Sequence, residues 1–206
     1  MRIVAISDTH NLHNGTQIPE GDVLIHAGDF TEHGTLEEVL EFERFLRKLP
    51  HKHKILVAGN HDFYFENYPD EAQKIVRNYI YLQDQAVTLN GAKIYGSPWQ
   101  PRFQDWAFNL ERGAEMRAKW DLIPEDTDVL VTHGAPQGIR DHATGYGHIG
   151  CEELLAAVKR VQPKYHVFGH VHDGYGQSLI GETNFLNVCI CDMNYQVVNP
   201  PTILDI

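Results

Sequence analysis

The stretch VFGHVHDG places two histidines, His170 and His172, one residue apart and directly after a glycine and an apolar run. Alternate side chains of an extended chain point to the same face, so both imidazoles can enter one site. The pair by itself fits either a ligand site or the polar face of a half-buried strand. Its meaning depends on whether other parts of the chain supply partners of matching chemistry.

Four further apolar runs end in the same kinds of residue. SDTH follows the first run, GDF the second and GNHD the third, and a histidine closes the run DVLVTH. In open α/β sheets, binding sites form outside the carboxyl ends of the strands. Five strand ends that each deliver aspartate, asparagine or histidine therefore predict a metal centre built from Asp8, His10, Asp29, Asn60, His133, His170 and His172.

The ligand types limit the metal. Imidazole, carboxylate and an amide oxygen, without thiolate, suit manganese, iron or zinc in five- or six-coordination and do not suit a structural zinc site built on cysteine. Seven ligands exceed the needs of one ion, since positions must stay open for water and substrate. We therefore expect two divalent metal ions that share a bridging carboxylate, with manganese as the first choice and iron or zinc as alternatives.

Buried strands and amphipathic helices must position these residues. Runs rich in β-branched residues predict strands buried on both faces, and they occupy 2–7, 22–27, 54–59, 128–133 and 165–170. Two amphipathic segments between the runs predict helices. The first has a capping box from Thr35 to Glu38 and ends at Pro50, and the second ends at Pro163. The alternation of strands and helices predicts an α/β fold.

The middle of the chain follows a different pattern. Within residues 79–96, Asn90-Gly91 stands between two strand-like runs, which predicts a hairpin and a mixed sheet. Residues 97–127 predict an irregular excursion with a short helix. A hydrophobic cluster under a long loop is the simpler interpretation of its aromatic residues, and a wall over the site is the alternative. This stretch holds all three tryptophans, Trp99, Trp106 and Trp120.

Length and charge limit the function classes. The 206 residues suit one domain, residues 1–206, and the formal net charge of −11 argues against a long nucleic acid as partner. A small phosphate ester stays compatible, because two divalent cations add positive charge inside a cleft. No apolar run approaches the roughly 18 residues of a membrane helix, and the N-terminal run is too short for a signal peptide. We therefore expect a cytoplasmic protein without a membrane partner. Its cysteines fit reduced, buried thiols: Cys151, Cys189 and Cys191.

The motifs carry a resemblance to a known family. The order D-x-H, G-D, G-N-H-D, H, G-H-x-H, over residues 8–172, resembles the calcineurin-like metallophosphoesterase superfamily. LVTHGAPQGIRD, HVFGHVHDGYG and VVNPPTILDI resemble its metallophosphoesterase-domain-containing (MPPED-like) subgroup. The resemblance implies an α/β fold in the form of a four-layer α/β/β/α sandwich of two mixed sheets, with a centre of two metal ions.

The resemblance also implies a role for each ligand. Asp29 would bridge the two ions, while Asp8, His10 and His172 would hold the first ion and Asn60, His133 and His170 the second. Some members of the subgroup carry glycine at the position of His170, whereas this chain has the full set. A hydroxide held between two ions is a nucleophile at neutral pH, and the ions also hold the attacking and leaving oxygens of an in-line displacement.

His61 and Asp62 would complete the chemistry. His61 resembles the family's general acid, which gives the leaving alkoxide its proton, and Asp62 resembles the carboxylate that keeps this histidine protonated. The alternative for Asp62 is that it caps a turn.

Phosphodiesters are the expected substrates. The phosphatase branch of the superfamily has an arginine in GDxxDRG, where this chain reads GDFTEHGT. The chain therefore lacks a guanidinium that would bind a dianionic monoester through two hydrogen bonds. Small nucleotide diesters, cyclic ones included, are plausible because Trp99, Phe103 or Phe63 and Tyr64 can stack on a base. Arg140, Asp141 and His142, on the loop after a ligand strand, would contact substrate or form a surface salt bridge. A phosphomonoesterase, a non-catalytic metal-binding scaffold and a nuclease are the rival functions, and the oligomeric state stays open.

Overall fold

The computed structural model describes all 206 residues. The strands are β1 (Arg2–Ile6), β2 (Val23–Ala27), β3 (His53–Val57), β4 (Ile80–Tyr81), β5 (Gln85–Leu89), β6 (Ala92–Ser97), β7 (Gln100–Pro101), β8 (Asn109–Leu110), β9 (Val129–Thr132), β10 (His142–Ala143), β11 (Gly147–His148), β12 (Tyr165–Phe168), β13 (Gly176–Ile180), β14 (Thr183–Asn187) and β15 (Thr202–Asp205). The helices are α1 (Leu36–Lys48), α2 (Phe63–Asn67), α3 (Pro69–Ile75), α4 (Ala114–Trp120) and α5 (Glu152–Val161). None of them is long and apolar enough to cross a membrane.

Two large mixed sheets form the centre of the molecule. The first has the order β15-β1-β2-β3-β4, in which β15 runs antiparallel to its neighbour and the other pairs are parallel. The second has the order β13-β14-β12-β9-β6-β5, with antiparallel pairs at both edges and parallel strands between them. The five predicted apolar runs are strands β1, β2, β3, β9 and β12, with ends that differ from the prediction by one or two residues. The hairpin at Asn90-Gly91 joins β5 and β6, as predicted.

Three apolar cores bind the layers together. One lies between the sheets and includes Ile25 from the first sheet and Val131 from the second. A second core packs α1 on the outer face of the first sheet through Phe42. A third packs α4 and α5 on the outer face of the second sheet, with Trp120 and Leu154 in its centre. This arrangement is the expected four-layer α/β/β/α sandwich, in which both sheets are covered on both faces.

Local signals set the bounds of helix α1. The Thr35 hydroxyl accepts a hydrogen bond from the Glu38 amide, and the Glu38 carboxylate accepts one from the Thr35 amide, which forms the predicted capping box. The apolar side of the helix is fully buried against the sheet, including Val39, Phe42 and Leu46. Burial of each such side chain contributes roughly 1.5–3 kcal/mol, so packing holds this helix more firmly than its caps do.

The tryptophans of residues 97–127 have three separate environments. Trp120 is in the core of the second sheet, which fits the simpler interpretation. Trp99 is partly buried, and its indole N–H donates to the carboxylate of Asp84. Trp106 instead lies beside the strand ends that carry the predicted ligands, as part of a wall over that site. The three cysteines are free and buried, as expected.

Candidate metal centre

The strand ends of both sheets meet at one place. β1, β2 and β3 of the first sheet deliver Asp8, Asp29 and Asn60, while β9 and β12 of the second deliver His133 and His170. The sheets touch here, because Ser7 forms a bridge with Cys189 and the His133 ring donates to the Ala27 carbonyl. The structure thus brings the ends of five strands from two sheets to one edge.

All seven predicted ligands lie within this edge. The ligand atoms of Asp8, His10 and His172 lie within 4.8 Å of one another, and so do those of Asp29, His133 and His170. The Asn60 amide oxygen completes the second group, 2.8 Å from His133 Nε2 and 2.7 Å from His170 Nδ1. Asp29 Oδ2 lies 4.0 Å from His10 Nε2 and 3.3 Å from His133 Nε2, so this carboxylate is next to both groups.

Four of these residues have a left-handed backbone. The φ angles are 54° at Asp8, 40° at His10, 55° at Asp29 and 67° at His170. Residues other than glycine adopt this conformation at a cost, although aspartate and histidine tolerate it better than most. The tight turns point short polar side chains back across the strand ends. Backbone outliers that cluster in this way are typical of functional sites.

Main-chain carbonyls fix the orientation of two imidazoles. His133 Nδ1 donates to the Ala27 carbonyl at 3.0 Å, and His172 Nδ1 donates to the Asp192 carbonyl at 2.8 Å. A carbonyl oxygen only accepts, so Nδ1 holds a proton and Nε2 is the nitrogen that faces the site. A carbonyl or carboxylate behind a metal-binding histidine commonly has this effect on its tautomer.

The donor set fits divalent cations. His10 Nε2 and His172 Nε2 approach to 3.3 Å, and His10 Nδ1 is buried with no hydrogen-bond partner. Lone pairs that converge on one point without enough protons between them are what a cation requires. The oxygen and imidazole donors, without thiolate, match the ions expected from the sequence.

Charge in the site also favours a cation. Burial opposes ionisation of Asp8, but the His172 hydrogen bond and the nearby histidines outweigh it and hold the pKa of Asp8 well below its usual range. The pKa of Asp29 is lowered in the same way, chiefly by the charge of His133 against the effect of burial. Burial lowers the pKa of His10 to about 4, so this ring is neutral and free to bind a metal at neutral pH.

A network around Asp8 holds its carboxylate in place. The Cys189 thiol donates to Asp8 Oδ2 at 2.9 Å, and the His170 amide donates to the same carboxylate at 3.0 Å. Both Asp8 and Cys189 are completely buried. A strand end far along the chain therefore positions the first candidate ligand.

His61 lies beside the ligands, with a different partner from the one expected. Its Nδ1 donates to the Glu32 carbonyl at 2.7 Å, and its amide donates to Asp29 Oδ1 at 2.8 Å. The ring contacts Trp106, with centroids 4.3 Å apart, and meets His10 edge-on at 4.6 Å. This surrounding fixes the ring while Nε2 stays available to the adjoining pocket.

The interpretation of Asp62 as the partner of the His61 ring needs correction. The carboxylate of Asp62 accepts from the amides of Gly59 and Asp29, at 2.7 and 2.9 Å, and from the amide and hydroxyl of Thr31. It makes no hydrogen bond to the His61 imidazole. Burial and the charge of Asp29 raise the pKa of Asp62 to about 7. These contacts are closer to the alternative that Asp62 caps a turn. Its carboxylate joins the loop after β2, which carries Asp29, to the loop after β3, which carries Asn60.

A pocket of about 350 Å³ opens above the ligands. Asn60, His61 and His170 line its floor, and Phe103, Trp106, Tyr146 and Tyr195 are among the aromatic residues of its walls. Pockets of this size hold organic ligands rather than a bare phosphate ion. The predicted contact of Phe103 with the site is consistent with this lining, whereas Trp99, Phe63 and Tyr64 do not line the pocket.

Arg140 contacts neither of the expected partners. Its guanidinium donates to the carbonyls of Gly174, at 3.3 Å, Tyr175, at 3.0 Å, and Gln177, and also to Ser178 Oγ at 3.1 Å. All three guanidinium nitrogens donate to residues that follow His172. Arg140 therefore forms no salt bridge and does not line the pocket, because the residues after His172 fold over the guanidinium.

Two other arginines line the pocket and were missed. Arg102 pairs with Glu111, and Arg112 lies 3.7 Å from Glu152 and donates to two loop carbonyls. Both belong to the irregular excursion, where no periodic pattern indicates which side chains face inward. Tyr195 was missed for the same reason, although its ring centroid lies 4.7 Å from that of His10.

The comparison of sequences decides the family. Residues 1–174 match the family described as calcineurin-like phosphoesterase. This chain belongs to the calcineurin-like phosphoesterase family. The family is divalent-metal dependent and acts on phosphate esters. The grouped Asp and His side chains of this chain are candidate ligands for such metal ions.

Relatives agree with this membership, and solved structures share the fold. Metallophosphoesterase domain-containing protein 1 of Homo sapiens is 47% identical over 231 aligned residues, which cover all of this chain and 71% of the relative; the Mus musculus protein gives the same values. The phosphopantetheinyl hydrolase of Mycobacterium tuberculosis shares the fold, with a TM-score of 0.64 and 17% identity over 94% of this chain and 90% of that one. A structure described as a novel archaeal phosphodiesterase has a TM-score of 0.53 and 20% identity, over 100% and 93% of the two chains.

Proposed function

We propose that this calcineurin-like phosphoesterase is a phosphodiesterase that uses two divalent metal ions, with manganese as the preferred metal. The observation that carries the proposal is the pair of ligand groups on either side of Asp29, directly beneath a pocket of about 350 Å³. Asp8, His10 and His172 would hold one ion and Asn60, His133 and His170 the other.

The chain's own residues would orient the ester and supply a proton. When bound, two divalent cations supply the charge that polarises phosphoryl oxygens and makes water acidic enough to attack at neutral pH. His61 would protonate the leaving oxygen through Nε2, since its Nδ1–H is committed to the Glu32 carbonyl. Trp106 would hold the His61 ring and shield it from water. Asp62 would act as a positioning residue for the loops of Asp29 and Asn60.

Diesters fit the charge of the pocket better than monoesters. The segment GDFTEHGT around Asp29 contains no arginine, and the guanidinium of Arg140 is fully engaged by loop carbonyls. Arg102 and Arg112 reach the pocket, but each already has a carboxylate partner. A diester carries one negative charge fewer than a monoester dianion and needs less cationic help. The aromatic walls suit small nucleotide diesters, cyclic ones included.

Phosphomonoester hydrolysis is the second candidate. The two arginines favour it, because a guanidinium that exchanges its carboxylate partner for a substrate phosphate would supply the missing grip. Turnover of nitrophenyl phosphate that depends on Arg102 or Arg112 would mark this function.

A comparison of matched esters tests the proposal. At fixed Mn²⁺, we expect kcat/KM to be higher for bis-nitrophenyl phosphate than for nitrophenyl phosphate. The same preparation is then assayed with 2′,3′- and 3′,5′-cyclic nucleotides. A preference for the monoester would overturn the diester assignment, and diester activity without turnover of any cyclic nucleotide would keep the reaction and discard that substrate class.

A further inference from the structure

A buried carboxylate holds a histidine at the rim of the pocket. His148 Nδ1 lies 2.7 Å from Asp141 Oδ1, and the side chain of Asp141 is only 1% exposed. The other oxygen of Asp141 accepts from the amides of Gly138 and Gly150, at 2.9 and 3.1 Å. The carboxylate is therefore a fixed support, anchored in the loop that follows the ligand strand β9.

This support leaves one ring nitrogen of His148 free. A carboxylate that is bonded to two amides accepts from the imidazole, so Nδ1 holds the proton. Nε2 makes no hydrogen bond within the protein. The side chain is 61% exposed and lines the same pocket as Asn60 and His61. An imidazole with one nitrogen anchored and the other open to a pocket is arranged to bind a ligand.

The neighbours of His148 hold the rim rigid. Arg112 donates to the carbonyls of Ile149 and Gly150, at 3.1 and 2.9 Å, directly after this histidine. The main chain of His148 also pairs with the main chain of His142 across the short β10–β11 ladder, a pairing that does not depend on the His142 side chain. Fixing the side chain of an exposed histidine costs side-chain entropy. The Asp141 hydrogen bond and the rigid neighbouring backbone therefore indicate a role for this fixed position.

We propose that His148 is a specificity-determining residue, whose Nε2 hydrogen-bonds a polar group on the organic part of the ester while the metal centre takes the phosphate. The inference rests on the proposed function and names the part of the substrate that lies outside the metal ligands. The pocket is larger than a phosphate requires, so an organic group must fill the remainder. Asp141 acts as the positioning residue for this contact.

Two nitrophenyl esters with the same leaving group and the same single negative charge, a phosphonate monoester and a phosphodiester, give the test. Nitrophenyl phenylphosphonate has no polar group on its retained part, whereas thymidine 5′-nitrophenyl phosphate carries the 3′-hydroxyl and a base there. For His148→Ala we expect kcat/KM to fall roughly five- to tenfold on the thymidine ester, mainly through KM, which is the effect of one ordinary hydrogen bond. The phenylphosphonate should change less than about twofold.

His142→Ala is the matched control. His142 lies opposite His148, with ring centroids 5.4 Å apart, but does not line the pocket. This variant should treat both esters as the unchanged protein does. An equal loss on both esters in His148→Ala would show a structural effect and overturn the proposal, and so would no loss on either.

A binding measurement separates the inference from the proposed function. If the unchanged protein hydrolyses neither ester, the phosphodiesterase assignment fails, and calorimetric titration of Zn²⁺-loaded protein still tests His148. Thymidine 5′-monophosphate should then bind roughly five- to tenfold more weakly to His148→Ala, with the affinity for inorganic phosphate unchanged. Equal affinities of the two proteins for the nucleotide would overturn the role of His148.

Discussion

His61 is held on three sides, and only one of the three neighbours, His10, is a candidate metal ligand. The Glu32 carbonyl fixes its Nδ1, Trp106 covers one face of the ring, and His10 meets it edge-on. The residue is only 8% exposed, and its open side faces the pocket. Such a fixed imidazole beside the metal ligands suits proton transfer to a leaving group and does not require that His61 bind a metal.

The replacement His61→Ala should slow turnover and spare the metals. We expect kcat to fall roughly 10²–10⁴-fold on esters with alkoxide leaving groups, which need a proton. The metal content, measured by elemental analysis, should match that of the unchanged protein. On nitrophenyl esters, whose leaving group needs no proton, the loss should be much smaller. Equal losses for both kinds of leaving group would exclude His61 as the acid.

The sequence is informative about the site wherever a residue's role follows from its type and its place after a strand. Asp8, His10, Asp29 and the other ligands each follow a buried strand, and residue type together with position was enough to group them. The partners of Asp62 were not predictable, because the Thr31 and Asp29 amides come from another loop. Hydrogen bonds between loops that are distant in the sequence cannot be predicted from the local spacing of residues.

Among the secondary-structure elements, the turn after β12 allows the two sheets to meet. A Cβ atom added at Gly169 would overlap the Asp8 carboxylate and the hydroxyl of Ser7. Only a residue without a side chain lets this turn pass so near the end of β1. The close approach is also what allows the His170 amide to donate to Asp8.

The replacement Gly169→Ala should therefore weaken metal binding without touching a ligand. The new methyl group must displace Asp8, and overpacking of this kind costs about 1–3 kcal/mol. We expect a lower affinity for the ion held by Asp8, His10 and His172, measured by titration of the chelated protein. Gly15→Ala is the control, since its added Cβ would meet nothing within 4 Å. If both variants bind metal like the unchanged protein, the packing argument for Gly169 is wrong.

The elements differ in how well their sequences specify them. β-branched runs and a capping box define β1, β2, β3 and α1 by local chemistry, and the structure has them within two residues of the prediction. Residues 97–127 lack any period, so nothing local distinguishes Trp120 in the core from Trp106 in the pocket wall. The same irregularity concealed Arg102 and Arg112.

Across the whole molecule, buried neutral histidines make stability depend on pH. His166 is completely buried and does not line the pocket, and its Nε2 pairs with Thr132 Oγ1 at 2.8 Å. Burial lowers the pKa of His166 to about 3, while the unfolded chain has the ordinary value near 6.5. The unfolded state thus binds the extra proton first, and the stability that the neutral ring provides at neutral pH is lost as the pH falls from about 6.5 toward 3.

The variant His166→Gln should show a smaller loss of stability in acid. Between pH 7.5 and pH 5, we expect the unfolding free energy of the unchanged protein to fall by about 2 kcal/mol more than that of the variant. Urea unfolding at both pH values measures this difference, and any contribution from metal ligands cancels because both proteins share them. Equal losses would mean that His166 is not held neutral.

Two metal ions that share Asp29 are the centre of the proposed chemistry, and a titration of metal against activity tests this most directly. Chelated protein is verified as metal-free, Mn²⁺ is added back stepwise, and bound metal and hydrolysis of bis-nitrophenyl phosphate are measured on the same samples. We predict no activity in the metal-free protein, full activity at two ions per chain, and loss of both ions in Asp29→Ala. Full activity of the verified metal-free protein, or an Asp29→Ala variant that keeps two ions and full turnover, would contradict the account.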